Sequence, residues 1–274
     1  MSHKIIDCFL FYNELDMLKF RLEYLYKTVD KFILVEATLT FAGNKKELYY
    51  NNNKHLFEKY NDKIIHIIVD NLPTKELEKN QWIRESVHRQ NIEKGFNKID
   101  LNDNDIICLC DLDEIPDKNI LNNIKNLEKI ENNLYALEQD LYYYNLNCKY
   151  DIKWYHPKLF NFYTYKNILN KNLDVIRLTG GFDSYNHPYT IKNGGWHFSY
   201  FGDVNFIKNK ISEFSHQELN NDTYKNEETI INNIKNNIDL YNRVDLNFKY
   251  IDVKDNKYLP ENYEQLLSYS DLYK

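Results

Sequence analysis

The stretch Asp105-Ile106-Ile107-Cys108-Leu109-Cys110-Asp111-Leu112-Asp113-Glu114-Ile115-Pro116 decides how this chain is read. Ile106 to Cys110 is apolar without alternation, which marks a strand buried on both faces in the middle of a parallel sheet. The run then ends abruptly in carboxylates. If extended geometry persists, Asp111 and Asp113 point the same way, because strand side chains alternate with period two. Open α/β sheets bind ligands at the carboxyl ends of their strands. Two carboxylates there suit a hard divalent cation such as Mg2+ or Mn2+, which takes oxygen ligands and keeps positions open for phosphate oxygens. Such a cation would offset charge on a leaving diphosphate. An Asp-x-Asp triplet is common, and a solvated acidic turn before the next helix is the competing reading. Its place at the end of a central strand, about 100 residues into a β/α series, makes it a candidate metal site.

The sequence on the amino-terminal side supplies that series. Ile5 to Tyr12 is an apolar run with the character of a buried strand. Asn13 with Asp16 is a loose capping box, and Leu15, Leu18, Leu22, Leu25 and Val29 follow at helical spacing. Phe32 to Val35 is a second strand, so the three elements form a βαβ unit with a right-handed crossover. Thr38 to Asn53 reads as a polar loop, Leu56 to Tyr60 as helical, and Ile64 to Val69 as a third strand. One long helix is expected from Leu77 to Phe96, with Gly95 at its end as a cap. Another is expected from Ile120 to Ile130.

Beyond this point the pattern changes. Leu134 to Leu146 and Leu159 to Tyr165 look like aromatic-rich strands, and Gly180-Gly181 and Gly194-Gly195 mark turns or close backbone approaches. Val204 to Leu219 and Glu227 to Val244 read as helices, and the tail from Tyr250 has no period. There is no repeat and no linker. The expectation is a single α/β domain with a mostly parallel central sheet flanked by helices.

Composition sets limits on function. With 43% hydrophobic and 28% charged residues, the chain of 274 has material for a packed core. A net charge of −6 argues against nucleic acid as the main partner. No stretch reaches membrane-spanning length, and the first apolar run has no cleavage site, so a soluble cytoplasmic protein without a membrane span is expected. The spacing of Cys8, Cys108, Cys110 and Cys148 fits neither a zinc site nor a disulfide framework. Tyr is abundant, and coding bias accounts for most of it, while a few rings are available to stack on sugars.

Two further constellations carry chemistry. In Gly194-Gly195-Trp196-His197-Phe198, His197 offers a nitrogen to the same cation or to a diphosphate, and Trp196 offers a ring for a sugar or base. A core Trp beside a satisfied His explains the same residues. In Trp82-Ile83-Arg84-Glu85-Ser86-Val87-His88-Arg89, Glu85 and Arg89 form an i, i+4 pair that supports a helix. Arg84 or Arg89 could instead fork onto a phosphate.

Taken together, these segments resemble the glycosyltransferases related to β-1,4-mannosyl-glycoprotein 4-β-N-acetylglucosaminyltransferase, glycosyltransferase family 17. The resemblance rests on Ile6 through Asp16, Val35-Glu36-Ala37 with Thr40-Phe41-Ala42-Gly43, Trp82 to Glu85, Asp111 to Pro116, Gly195 to Tyr200, and Lys210 to Glu218, all in family order. It implies a GT-A-like fold and inverting transfer of a sugar, GlcNAc by analogy, from a UDP-sugar to a glycan hydroxyl. It places the metal and diphosphate at Asp111 and Asp113, with His197 as an extra metal ligand. Phe11, Asn13, Glu14 and Glu36 then lie at early strand ends beside the nucleotide, joined by Arg84, Arg89 and Trp196. The chain divides into a nucleotide-sugar half (1–130), an acceptor half (131–220) and a helical extension (221–274). Unlike the Golgi members, it is expected to lack a signal anchor and stem, and its cysteines fit no framework.

Direct inversion needs a general base near the acceptor hydroxyl. The sequence offers Asp140, Asp183 and Glu218 without choosing between them, and Tyr142, Tyr143 and Tyr144 as groove-lining rings. Two other classes stay open: an Asp-dependent phosphatase, although Glu114 follows the motif where a small hydroxyl is usual, and a non-catalytic carbohydrate-binding protein.

Overall fold

All seven positions of β1 (Ile5–Phe11) are buried, and only Asp7 among them is charged. A strand this apolar has to lie inside a sheet covered on both faces. β2 (Lys31–Ala37) and β4 (Ile106–Leu109) pair with it in parallel on either side, and β3 (Ile64–Val69) pairs in parallel with β2. α1 (Leu15–Leu25) makes the crossover between β1 and β2. The structure, a computed structural model, describes residues 3–127, 130–180, 189–243 and 246–271. Asp183, Gly181 and Val244 lie outside the described residues.

The second half extends the same sheet differently. β8 (Lys158–Asn161) pairs antiparallel with β4, and β6 (Tyr135–Tyr143) antiparallel with β8. β7 (Cys148–Trp154) and β10 (Phe248–Tyr250) continue outward by antiparallel pairing. β9 (Thr190–Ser199) runs parallel to β6 and carries the short β5 (Glu114–Pro116) on its other edge. The result is an α/β fold with one large sheet in the order β10-β7-β6-β8-β4-β1-β2-β3. Its parallel pairs are those of the β3-β2-β1-β4 half and β6 with β9, and the remaining pairs are antiparallel, so the expected mostly parallel sheet is a mixed one.

Several helix boundaries differ from the sequence reading, and local chemistry explains them. The expected 77–96 helix is two, α3 (Gln81–Gln90) and α4 (Ile92–Phe96). Asn80 caps the first by accepting the Trp82 N–H at 3.0 Å. Gly95 is not a cap. It lies within α4, where a Cβ would fall 2.6 Å from Ile33. The polar loop contains α2 (Tyr49–Asn52), followed by a 3-10 stretch over Lys54–Tyr60. α5 (Lys118–Lys125) begins two residues before Ile120, behind the Asp117 cap. The 159–165 strand stops at Asn161, whose side chain accepts the Thr164 N–H (2.9 Å) and starts α6 (Phe162–Asn167). α7 (Leu173–Leu178) was not anticipated. α8 (Val204–Glu213) ends before a 3-10 turn at Gln217–Leu219. α9 (Glu227–Asn236) stops at Asn237, which is left-handed at φ 52°. Among the described residues no helix is long and apolar enough to cross a membrane.

Gly194-Gly195 is a close approach inside a strand. Gly195 has φ +133°, and a Cβ on it would lie 2.0 Å from the Ile115 carbonyl oxygen. Only glycine lets β5 pair with β9 here. Gly195→Ala is expected to lower the unfolding free energy by about 3 kcal/mol, through strain and overpacking together. Urea denaturation against wild type reads this directly.

Candidate active site

β4 delivers the carboxylates, but a turn aims them. The strand ends at Leu109, and the Glu114 N–H donates to the Asp111 carbonyl at 3.1 Å. Strand alternation therefore does not set the directions of Asp111 and Asp113. The turn is held from beneath by Arg21 of α1. Its guanidinium grips Asp7 with two bonds (2.8 and 2.6 Å), and Nη1 donates to the carbonyls of Asp111 (3.0 Å), Leu112 (3.0 Å) and Glu114 (2.7 Å). Both side chains of the pair are fully buried. The sequence does carry a signal for this pair: an Asp in the middle of an apolar strand requires a buried partner.

Three cations converge on the carboxylates from three different helices. Arg89 of α3 donates Nη1 to Asp111 Oδ1 (2.7 Å), and Arg177 of α7 donates Nη2 to Asp111 Oδ2 (2.6 Å). Arg177 also forks onto Glu114 with bonds of 2.9 and 2.7 Å. Glu114 in turn accepts the Asp111 N–H (2.6 Å) and the Trp154 indole N–H. Lys210 of α8 donates to Asp113 Oδ2 at 2.8 Å and lies 3.7 Å from Glu14 Oε1. Burial alone would raise the carboxyl pKa of Asp111, but Arg177 and Arg89 outweigh it and hold the group well below the usual range. For Asp113 the same burial is outweighed by Lys210 and His197. Arg177 has no marked place in the sequence, and Lys210 stands there only as the first residue of the Lys210–Glu218 segment, with no sign of its partner. Each is one basic residue in an ordinary helix until tertiary packing directs it.

His197 enters from β9, directly opposite Glu114 in register. Its Nε2 lies 3.5 Å from Asp113 Oδ1, and its Nδ1 is buried with no hydrogen-bond partner among the described residues. Two ligands bound at about 2.1 Å to one small cation stand roughly 3 Å or slightly more apart, so this pair fits a divalent ion. Asp111 does not join them, because both of its oxygens face guanidinium groups. Among the described residues the one cluster of three potential ligand atoms is Asp7, Cys108 and Cys110, and there Asp7 is already held by Arg21.

The other sequence candidates fall in distinct places. Asn13 is at the mouth of β1, with Nδ2 3.3 Å from Asn209 Oδ1 and its own Oδ1 buried without a partner among the described residues. Glu14 neighbours Lys210. Glu36 is buried and accepts the N–H groups of Tyr50 (2.8 Å) and Asn51 (3.2 Å), and His66 Nε2 lies 3.0 Å from it, so it anchors α2. Arg84 donates to the carbonyls of Phe41 (2.6 Å) and Glu78, holding two loops together. Phe11 and Trp196 are core residues. Phe11 packs edge-on against Tyr50, while Trp196 donates to the Tyr258 carbonyl at 3.1 Å. Asp140 is buried between Lys149 and Lys153 and is paired in register with Trp196 rather than His197. Glu218 is exposed and accepts from His216 Nδ1 at 2.6 Å. Asp183 lies outside the described residues. Tyr142 and Tyr144 are fully buried, and Tyr143 is nearly so.

His88, one residue before Arg89, is buried beneath the site, and its Nε2 donates to the Val35 carbonyl at 3.1 Å. Burial first, then Lys46 and Arg89, push its pKa down to about 3. The unfolded chain takes up this proton near pH 6.5 and the folded one does not. The contribution of His88 to stability is therefore intact above about pH 6.5 and declines as the pH falls towards 3. Chemical denaturation of His88→Gln across this range is expected to show a shallower acid-side loss than wild type. Equal slopes would contradict the assignment.

The chain is similar in structure to S. aureus TarS residues 1–349 at 9% identity, covering 77% of this chain and 65% of that one with a TM-score of 0.40. It is also similar to 4-diphosphocytidyl-2C-methyl-D-erythritol synthase from Anaerococcus prevotii at 12% identity, covering 69% and 89% with a TM-score of 0.36. No curated protein matches its sequence. The sequence profile described as glycosyltransferase family 17 matches residues 1–265, nearly the entire chain, and the phosphatase alternative falls with that match. This protein belongs to glycosyltransferase family 17.

Proposed function

We propose that this transferase moves a sugar, GlcNAc by family analogy, from a UDP-sugar to a glycan hydroxyl in one inverting displacement assisted by Mn2+ or Mg2+. The observation that carries this reading is the 3.5 Å separation of Asp113 Oδ1 and His197 Nε2 at the carboxyl end of a central strand, ringed by Arg89, Arg177 and Lys210. Asp113 and His197 would hold the cation, which when bound supplies Lewis-acid stabilisation to the leaving diphosphate. Three carboxylates, Asp111, Asp113 and Glu114, already face three cations. A divalent ion and a diphosphate diester therefore enter as a nearly neutral pair, without burying net charge.

The chain's own residues do the rest. Arg89 and Arg177 keep Asp111 in one rotamer, so its carboxylate meets the donor preorganised. Lys210, reaching past Glu14, is placed to contact a phosphate oxygen as negative charge develops there. Asn13, with an Oδ1 unpaired among the described residues at the β1 mouth, is placed for a polar group of the nucleotide. The assay is UDP release from a panel of UDP-sugars, with and without Mn2+. Release by one donor that is lost on chelation supports the reading. Release that ignores chelation removes the metal from it, and no release from any donor removes the UDP-sugar.

A further inference from the structure

The displacement proposed above needs a base for the acceptor hydroxyl. The carboxylates around the turn are poorly suited to that task. Asp111, Asp113 and Glu114 are bound by Arg89, Lys210 and Arg177, Glu85 by Arg89, and Asp140 by two lysines. Carboxylate oxygens already committed to guanidinium and ammonium groups are not presented to an incoming hydroxyl.

We propose that His216 is the general base and that Glu218 is the carboxylate that orients it, an inference that rests on the glycosyltransferase reading. Glu218 Oε1 lies 2.6 Å from His216 Nδ1. A carboxylate only accepts, so in the neutral ring Nδ1 carries the proton and Nε2 carries the lone pair. The ring is clamped by Trp82, edge-to-face at 4.6 Å and 90°, and by Phe214 at 5.3 Å. With 48% of its side chain exposed, the imidazole is open to an incoming hydroxyl.

The dyad is also tied to the site at both carboxylates. Ser215, the preceding residue, donates Oγ to Glu85, which binds Arg89, which binds Asp111 at 2.7 Å. Lys210, on the helix leading into this loop, binds Asp113. Trp82, Glu85 and Arg89 follow one another along one face of α3, at i, i+3 and i+7. The axial rise of α3 from Arg89, which binds Asp111, to Trp82, which packs on the His216 ring, is about 10 Å.

In the step itself the acceptor O–H proton passes to His216 Nε2 and the oxygen bonds to the anomeric carbon. The bond from that carbon to the diphosphate oxygen breaks, and its electron pair leaves with UDP. Glu218 then faces an imidazolium and stabilises it. Glu218 is thus a positioning residue, and the proton moves through His216.

The test measures UDP release by wild type, His216→Ala, His216→Gln and Glu218→Gln, using the UDP-sugar that wild type turns over fastest. Water and a methyl hexoside serve as acceptors. Both His216 variants are expected to lose about 100-fold or more in kcat with donor KM unchanged, and free imidazole should restore part of the loss in His216→Ala. Glu218→Gln should lose about tenfold. Three results would overturn the inference: His216 variants within about threefold of wild type, a loss expressed mainly in donor KM, or a loss that imidazole does not rescue. A wild type that releases no UDP removes the UDP-sugar reading together with this inference, whereas active wild type with active His216 variants removes this inference alone.

Discussion

Arg21→Met should lower the unfolding free energy by about 3–5 kcal/mol, the cost of leaving a buried charge unpaired. Arg21 and Asp7 have no exposed side-chain surface, and the guanidinium supplies three bonds that fasten the Asp111–Glu114 turn to α1. Methionine fills much of the same volume, so the loss would report charge and hydrogen bonding rather than a cavity. The double variant Asp7→Asn with Arg21→Met should recover part of the loss, because it removes the orphaned carboxylate. Urea unfolding of the wild type, both single variants and the double variant completes this cycle. If Arg21→Met costs less than about 1 kcal/mol, the pair does not hold the turn.

Asp113→Asn should reduce metal-dependent turnover by about a thousandfold, while Asp111→Asn should act through the donor. The two residues look equivalent in an Asp-x-Asp triplet, and the structure separates them. Asp113 Oδ1 faces His197 Nε2 at 3.5 Å, the spacing of two ligands on one ion. Asp111 offers its oxygens to Arg89 and Arg177 at 2.7 and 2.6 Å. Loss of a Lewis-acid interaction worth several kcal/mol corresponds to about three powers of ten in rate. For Asp111→Asn the Mn2+ dependence should stay within about threefold of wild type, and donor KM should rise as both arginines lose their partner. Manganese titrations of the two variants distinguish the roles. Equal loss of metal affinity in both would mean that Asp111 is also a ligand.

Physical reasons explain which parts of this molecule were legible in its sequence. The β1-α1-β2 unit and β3 could be read because buried parallel strands are written as continuous apolar runs and the crossover helix shows a 3.6-residue period. Asp111, Asp113 and His197 stood out because carboxylates at the end of such a strand, and a His after a Gly pair, interrupt a regular pattern. Their partners did not. Arg21, Arg177 and Lys210 come from three different helices, and no local spacing encodes their convergence. Asn80 and Asn161 broke expected elements through side-chain caps, a signal diluted in a chain so rich in Asn. Phe11 and Trp196 lie in motif segments, yet they are core residues, since the packing demand on a central strand and on β9 is met by the same rings. β7 and β10 carry exposed and charged positions that hide a strand's period.

The most direct test of the central claim is thermal stability with a panel of nucleotide sugars, with and without Mn2+, for wild type and Asp113→Ala. A ligand that binds only the folded state raises the melting temperature. The geometry at Asp113 and His197 predicts that one UDP-sugar stabilises the wild type only when the metal is present, and that Asp113→Ala abolishes the shift. A shift that needs no metal, or one that survives the loss of Asp113, would contradict the site described here.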